Sequence, residues 1–281
     1  MLRCVSLRAG DRRFPSSVAP SRYYEYASPR PSMMKWFFCP TLVLVLFSAG
    51  LNPLQAAAPE FTPLFNGRDL AGWRIPPGDN GHWKVLDGVI DYDARSEAPD
   101  RQKDLWTEQD YGDFVLKLDW RIKETPATYP MPDILPDGSY RLGADGKPIL
   151  TPRPNADSGI YLRGTTKAQL NIWCWPVGSG EIYGYRNDPA QPPEVRRGAT
   201  PQLRADRPVG EWNTFEITLR GDRVDVVLNG KPVIVNAQLP GLPARGPIGL
   251  QHHGTYKDGR YDGASALVQF RNLSIKELPS P

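Results

Sequence analysis

The chain has 281 residues, 40% of them apolar and 10% aromatic, which is enough for a packed core and excludes a disordered chain. Its 34 Lys plus Arg against 31 Asp plus Glu give a net charge of +3, but residues 1–58 hold seven of the basic and two of the acidic groups, leaving 27 against 29 and a net charge of −2 for residues 59–281. A basic surface for nucleic acid or an anionic membrane is thereby excluded. Lys35 precedes an apolar run from Trp36 to Ala49, and Asn52-Pro53 and the small run Ala56-Ala57-Ala58 follow. A positive residue, about a dozen apolar residues and a small-residue site make a secretory signal peptide over residues 33–58, too short for a bilayer span of roughly 20 residues. Residues 1–32 are polar, Arg-rich and patternless, which points to a translation start at Met33 or Met34. The expectation is an exported chain, secreted or periplasmic, free of the membrane once the signal is cleaved near Ala58. Cys39 begins the apolar run rather than ending it, which argues against a lipoprotein anchor. With Cys4 and Cys39 in the leader, Cys174 stands alone and no internal disulfide can form.

From residue 59 onward the recurring pattern is alternation. Phe114, Leu116, Leu118 and Trp120 alternate with Val115, Lys117, Asp119 and Arg121; Phe215, Ile217 and Leu219 with Glu216 and Thr218; Val224, Val226 and Leu228 with Arg223 and Asp225. A period of two marks half-buried antiparallel strands. Asn66-Gly67, Asp87-Gly88, Arg220-Gly221-Asp222 and Asn229-Gly230 supply turns between them, and the clearest hairpin runs from Arg223–Leu228 to Val233–Asn236. The pattern predicts an all-β, two-sheet antiparallel sandwich as one domain over 59–281. Between Glu124 and Asn155 seven prolines predict a long loop, with a small hairpin at Tyr140 to Ile149, that either shapes a binding site or is a surface insertion.

Parity sorts the side chains of the remaining strands. In Gln169 to Trp175 the even positions are apolar, which sends Gln169, Asn171, Trp173 and Trp175 to the opposite face. Amides beside indoles suit a neutral, hydroxyl-rich ligand, because sugar C–H faces stack on indoles while amides exchange hydrogen bonds with hydroxyls. Either indole could instead pack beneath the long loop. The same sorting directs Tyr161 and Arg163, Gln251 and His253, and Asp119 and Arg121 outward, and if these strands share one sheet the polar groups converge on one concave surface. Glu181 follows Gly178-Ser179-Gly180 and precedes Ile182-Tyr183-Gly184-Tyr185-Arg186, so it is either a general acid or base or one half of an ion pair bracing the turn. Three histidines, His82, His252 and His253, form no metal signature, and no nucleophile elbow or phosphate loop occurs. No cofactor is expected; a structural calcium ion held by loop carbonyls and Asp side chains is left open.

Several segments, taken in order, resemble one bacterial family, the 3-keto-disaccharide hydrolase domain. They are Leu64-Phe65-Asn66-Gly67-Arg68-Asp69-Leu70-Ala71-Gly72-Trp73, Trp83 to Ile90, Leu105-Trp106-Thr107, Tyr111 to Phe114, Asp157-Ser158-Gly159-Ile160-Tyr161-Leu162-Arg163-Gly164, Gly210-Glu211-Trp212-Asn213, Gly246 to Gln251 and Phe270-Arg271-Asn272-Leu273. The resemblance implies a concanavalin A-like lectin/glucanase jelly roll and exported cleavage of a 3-keto sugar made by a partner sugar dehydrogenase. Two departures stand out. Where the family's strand usually reads Glu-x-Gln-x-x-Asp this chain has Gln169, Asn171 and Cys174, and the usual Asn before Ser-Gly is Asp157. The expected function is a hydrolase or lyase with Glu181, His253 and Asp119 as candidate proton-transfer groups. Arg121 and Arg163 are the expected anchors, and Gln169, Asn171, Trp173, Trp175, Tyr183 and Gln251 the expected carbohydrate contacts. The alternative is a lectin-like module that binds without cleaving.

Overall fold

The computed structural model describes residues 60–279, so the expected signal peptide and the expected start codon lie outside the described residues. Seventeen strands and two short helices are present among them. The larger sheet joins β1 (Thr62–Pro63), β3 (Trp83–Leu86), β4 (Val89–Tyr92), β6 (Phe114–Ile122), β11 (Asn213–Arg220), β12 (Arg223–Leu228), β13 (Lys231–Gln238) and β17 (Val268–Glu277). Its order is β13-β12-β11-β6-β17-β4-β3, with β1 also paired to β17. The smaller sheet joins β2 (Trp73–Arg74), β5 (Leu105–Thr107), β9 (Asp157–Leu162), β10 (Thr165–Trp173) and β14 (Gly249–Leu250) in the order β10-β9-β14-β5-β2. All pairings are antiparallel.

The alternation explains the layering. On β6, Phe114, Leu116, Leu118, Trp120 and Ile122 are buried and the residues between them half-buried. These side chains share one core with Phe215, Ile217 and Leu219 of β11 and with Ile160, Leu162, Leu170, Ile172 and Leu250 of the smaller sheet. Each such burial stabilises the fold by about 1.5–3 kcal/mol, and with Cys174 a free thiol the core does this without a disulfide. The Asn229-Gly230 hairpin forms as expected between β12 and β13, with φ of 52° and 76° at its two central residues, the left-handed pair that a two-residue turn requires.

The proline-rich segment is not a loop but a separate ribbon, β7 (Ala127–Pro132) paired with β8 (Leu150–Asn155), tipped by the expected hairpin through Tyr140 to Ile149. The prolines permit it because of their spacing. Pro130 and Pro132 on one strand, and Pro152 and Pro154 on the other, all share one parity, and Pro130 lies opposite Pro152. Their missing N–H groups therefore point out of the ladder, while Tyr129, Met131, Thr151 and Arg153 carry it. The remaining elements are the hairpin β15 (Thr255–Lys257) with β16 (Arg260–Asp262), and the helices α1 (Tyr183–Arg186) and α2 (Pro193–Gly198).

Candidate active site

On the smaller sheet β9 and β10 align Gln169 with Tyr161, Asn171 with Gly159 and Trp173 with Asp157. Leu170 and Ile172 enter the core, so the residues between them face outward. The Gln251 backbone N–H donates to the Gly159 carbonyl at 2.9 Å, which extends the same face along the segment after β14. The result is a cavity of about 160 Å³ in which Asp157, Gln169, Asn171, Gln251 and His253 meet, walled by Tyr129, Trp173, Trp175 and Tyr183.

Its polar groups are ordered by one another. Gln169 donates from Nε2 to the Asn171 side-chain oxygen and, at 2.7 Å, to that of Gln251. That polarity leaves Asn171 Nδ2 a buried donor without an acceptor. His253 Nδ1 lies 2.7 Å from the Ala264 carbonyl, which can only accept, so Nδ1 carries a proton and the lone pair of the imidazole form is on Nε2. Burial pushes the Asp157 carboxyl up to about 6, while neighbouring His253 pulls it back down. Its Oδ1 is closed off from solvent and unpartnered.

Behind the cavity, Gly178 and Gly180 take φ of 89° and 103°, a conformation that swings the chain back so that Gly180 and Glu181 exchange backbone hydrogen bonds with Asn171. Glu181 is thereby fully buried, with Arg186 Nε donating to its Oε1 at 2.8 Å. The Arg186 guanidinium lies 5.0 Å from the Tyr140 ring centroid and 5.8 Å from that of Tyr183. Burial raises the Glu181 carboxyl to about 7 against the pull of Arg186. Of the buried side-chain polar atoms left without a partner among the described residues, those of Asp157, Asn171 and Trp175 belong to residues lining this cavity, and those of Glu181 and Arg186 to the ion pair behind it.

The structure brings together Gln169, Asn171, Trp173, Trp175, Tyr183, Gln251 and His253 as expected. It separates the rest. Asp119 and Arg121 lie on β6 in the other sheet and face away from the core: Asp119 accepts from Thr214 Oγ1 at 2.7 Å and from Asn272, and Arg121 lies over the Trp212 ring at 4.7 Å. The strands do not share one sheet, so these two cannot join the cavity. Arg163 faces the body of the protein; 2% exposed, it donates to the carbonyls of Gly112, Gly221 and Pro243 and pairs with Asp113 at 2.7 Å. Glu181 does not line the cavity. Trp173 and Trp175 stack on each other at 4.1 Å and pack against Met131 of the ribbon, so they wall the cavity from beneath β7 rather than offering open faces. Asp157 was missed as a site residue, although it shares the outward parity of Gly159 and Tyr161. No group of three His, Cys, Asp or Glu side chains that could hold a metal ion occurs among the described residues.

The smaller sheet and the segment after it thus hold amides, indoles and an imidazole beside a carboxyl in one small cavity, an arrangement suited to a neutral, hydroxyl-rich ligand. The chain belongs to the 3-keto-alpha-glucoside-1,2-lyase-like domain family, whose model matches residues 60–276. No curated protein sequence matches it. Among solved structures it is similar to two candidate glycosyl hydrolases from Parabacteroides distasonis ATCC 8503. One is 18% identical over 78% of this chain and 94% of that chain at a TM-score of 0.47, the other 21% identical over 78% and 100% at 0.46. It is also similar to the Bacillus licheniformis beta-glucanase, 11% identical over 80% of this chain and 100% of that one, TM-score 0.36.

Proposed function

We propose that the protein is an exported enzyme that cleaves the glycosidic bond of 3-keto-glycosides by abstracting the proton at C2. A ketone at C3 acidifies that proton. Its removal gives an enolate, whose electron pair forms the C1–C2 double bond as the C1–O bond breaks; water then adds its hydroxyl to C1 and its proton to C2. The route needs one base and one group to stabilise the enolate, not two carboxylates at glycosidase spacing. His253 Nε2 takes the proton and, as imidazolium, returns it to the departing oxygen. Asp157, ionised beside it, stabilises the imidazolium, and Asn171 Nδ2 donates to the enolate oxygen. The substrate must first be oxidised at C3, which assigns that step to a sugar dehydrogenase acting upstream, and the leader sequence supports a secreted or periplasmic setting.

The observation that carries this reading is the fixed tautomer of His253 in a cavity where Asn171 holds an unused donor. The test is aglycone release from a 3-keto-glucoside, with deuterium uptake at C2 in heavy water. His253→Ala should lower kcat/KM about 10²–10⁴-fold; turnover unchanged in that variant would overturn the assignment. Loss of both carboxylates from the family's usual strand, at Gln169 and Cys174, favours a second reading, a lectin-like module. Binding of the same ligand with no turnover would select it.

A further inference from the structure

We infer that the cavity is one end of a longer groove, with a distal subsite on Trp106 that binds further sugar units of an oligosaccharide. This rests on the carbohydrate reading above and extends it from a single glycosidic bond to chain length. The sheet register places five residues in one row across the strands: Arg74 pairs with Trp106, Trp106 with Gly249, Gly249 with Tyr161 and Tyr161 with Gln169. The neighbouring positions Leu105, Leu250, Ile160 and Leu170 are wholly buried, so the row lies on the outer face, as Gln169 does. Gly249 makes the row continuous. A Cβ there would come within 2.8 Å of the Trp106 ring, and its absence lets the indole lie flat across β14 and stack on Tyr161, at 5.2 Å and 14° between planes.

Trp106 stays half-buried and lines a cavity of about 400 Å³ whose walls include Ile75, Pro76 and Pro247. A second cavity of about 470 Å³, lined by Tyr161, Thr166 and His252, shares Arg101 and Asp104 with the first. Tyr161 in turn adjoins Gln169 of the catalytic cavity. From β10 to β5 is three strand spacings, about 14 Å, so cavities lie end to end along a path longer than one sugar unit. A half-buried indole with the Arg101 guanidinium and the Asp104 carboxyl in the same cavity is a stacking platform for a pyranose C–H face.

The protein should be titrated with unoxidised α- and β-linked gluco-oligosaccharides from disaccharide to pentasaccharide and binding read by calorimetry. The expected result is a Kd that falls about tenfold with length in one linkage series. In Trp106→Ala that gain should disappear, and in Trp106→Phe, which keeps a ring and controls for folding, part of it should survive. Equal affinities at every length, with the disaccharide bound, would overturn the subsite and leave the catalytic reading intact. A gain with length that persists in Trp106→Ala would overturn it equally. Failure to bind any of these saccharides would overturn the subsite and leave the catalytic reading to the 3-keto-glucoside assay.

Discussion

Asp157 and Asn171 flank the Trp173 indole on adjacent strands, and each holds a buried polar atom that the protein itself does not satisfy. Such unpartnered buried atoms cost stability, so the residues proposed for turnover should be expensive for folding. Burial lifts the Asp157 carboxyl from about 4 to about 6, which penalises its ionised form in the folded state more than in the unfolded one. Its contribution to stability is therefore present below pH 4 and lost as pH rises through 6. Asp157→Asn should raise the melting temperature above pH 6, by about 1–2 kcal/mol of stability, have no such effect at pH 4, and impair turnover. Melting curves at the two pH values check the sign. Arg163 should behave oppositely. It fastens three backbone carbonyls and Asp113 far from the cavity, so Arg163→Ala should cost about 3–5 kcal/mol in denaturant titrations while the folded fraction keeps its activity. Parity showed that Arg163 leaves the strand's apolar face. It could not show that the strand ends there, at φ 49°, and turns the guanidinium back into the body of the protein.

At the scale of elements, strands were legible wherever one face is buried and the other wet, as in β6, β11 and β12, because a period of two needs that asymmetry. The proline ribbon was not. Its two strands lie outside the main core and lack alternation, and the regular spacing of Pro130, Pro132, Pro152 and Pro154 becomes informative only once the strands are paired. The ribbon's anchor is Met131, fully buried against the stacked Trp173 and Trp175. Met131→Ala should therefore cost about 2–4 kcal/mol and loosen the ribbon over the indoles. Tryptophan emission should shift to the red before global unfolding. Pro130→Ala, at a position whose N–H the ladder never uses, should leave emission and melting nearly unchanged.

At the scale of the whole molecule, the arrangement hidden from the sequence is which strands neighbour which. Asp119, Gln169 and His253 have equally good outward parity, yet β6 and β10 belong to opposite layers, and no local pattern records that choice. The same long-range order has a consequence for folding. The last strand, β17, does not close an edge: it lies between β6 and β4 and also pairs with β1. Without it β4 and β3 lose their link to β13-β12-β11-β6, and Phe270, Leu273 and Ile275 leave the core. The larger sheet therefore cannot be completed until β17 is available, and pairings this distant in sequence form slowly. A protein truncated after Leu267 should lack a cooperative melting transition and bind hydrophobic dyes. Restoring residues 268–279 as a separate peptide should recover part of the β signal in circular dichroism if β17 alone is what the sheet lacks. A truncated chain that melts cooperatively near the full-length temperature would show that the two halves of the sheet hold together without their central strand.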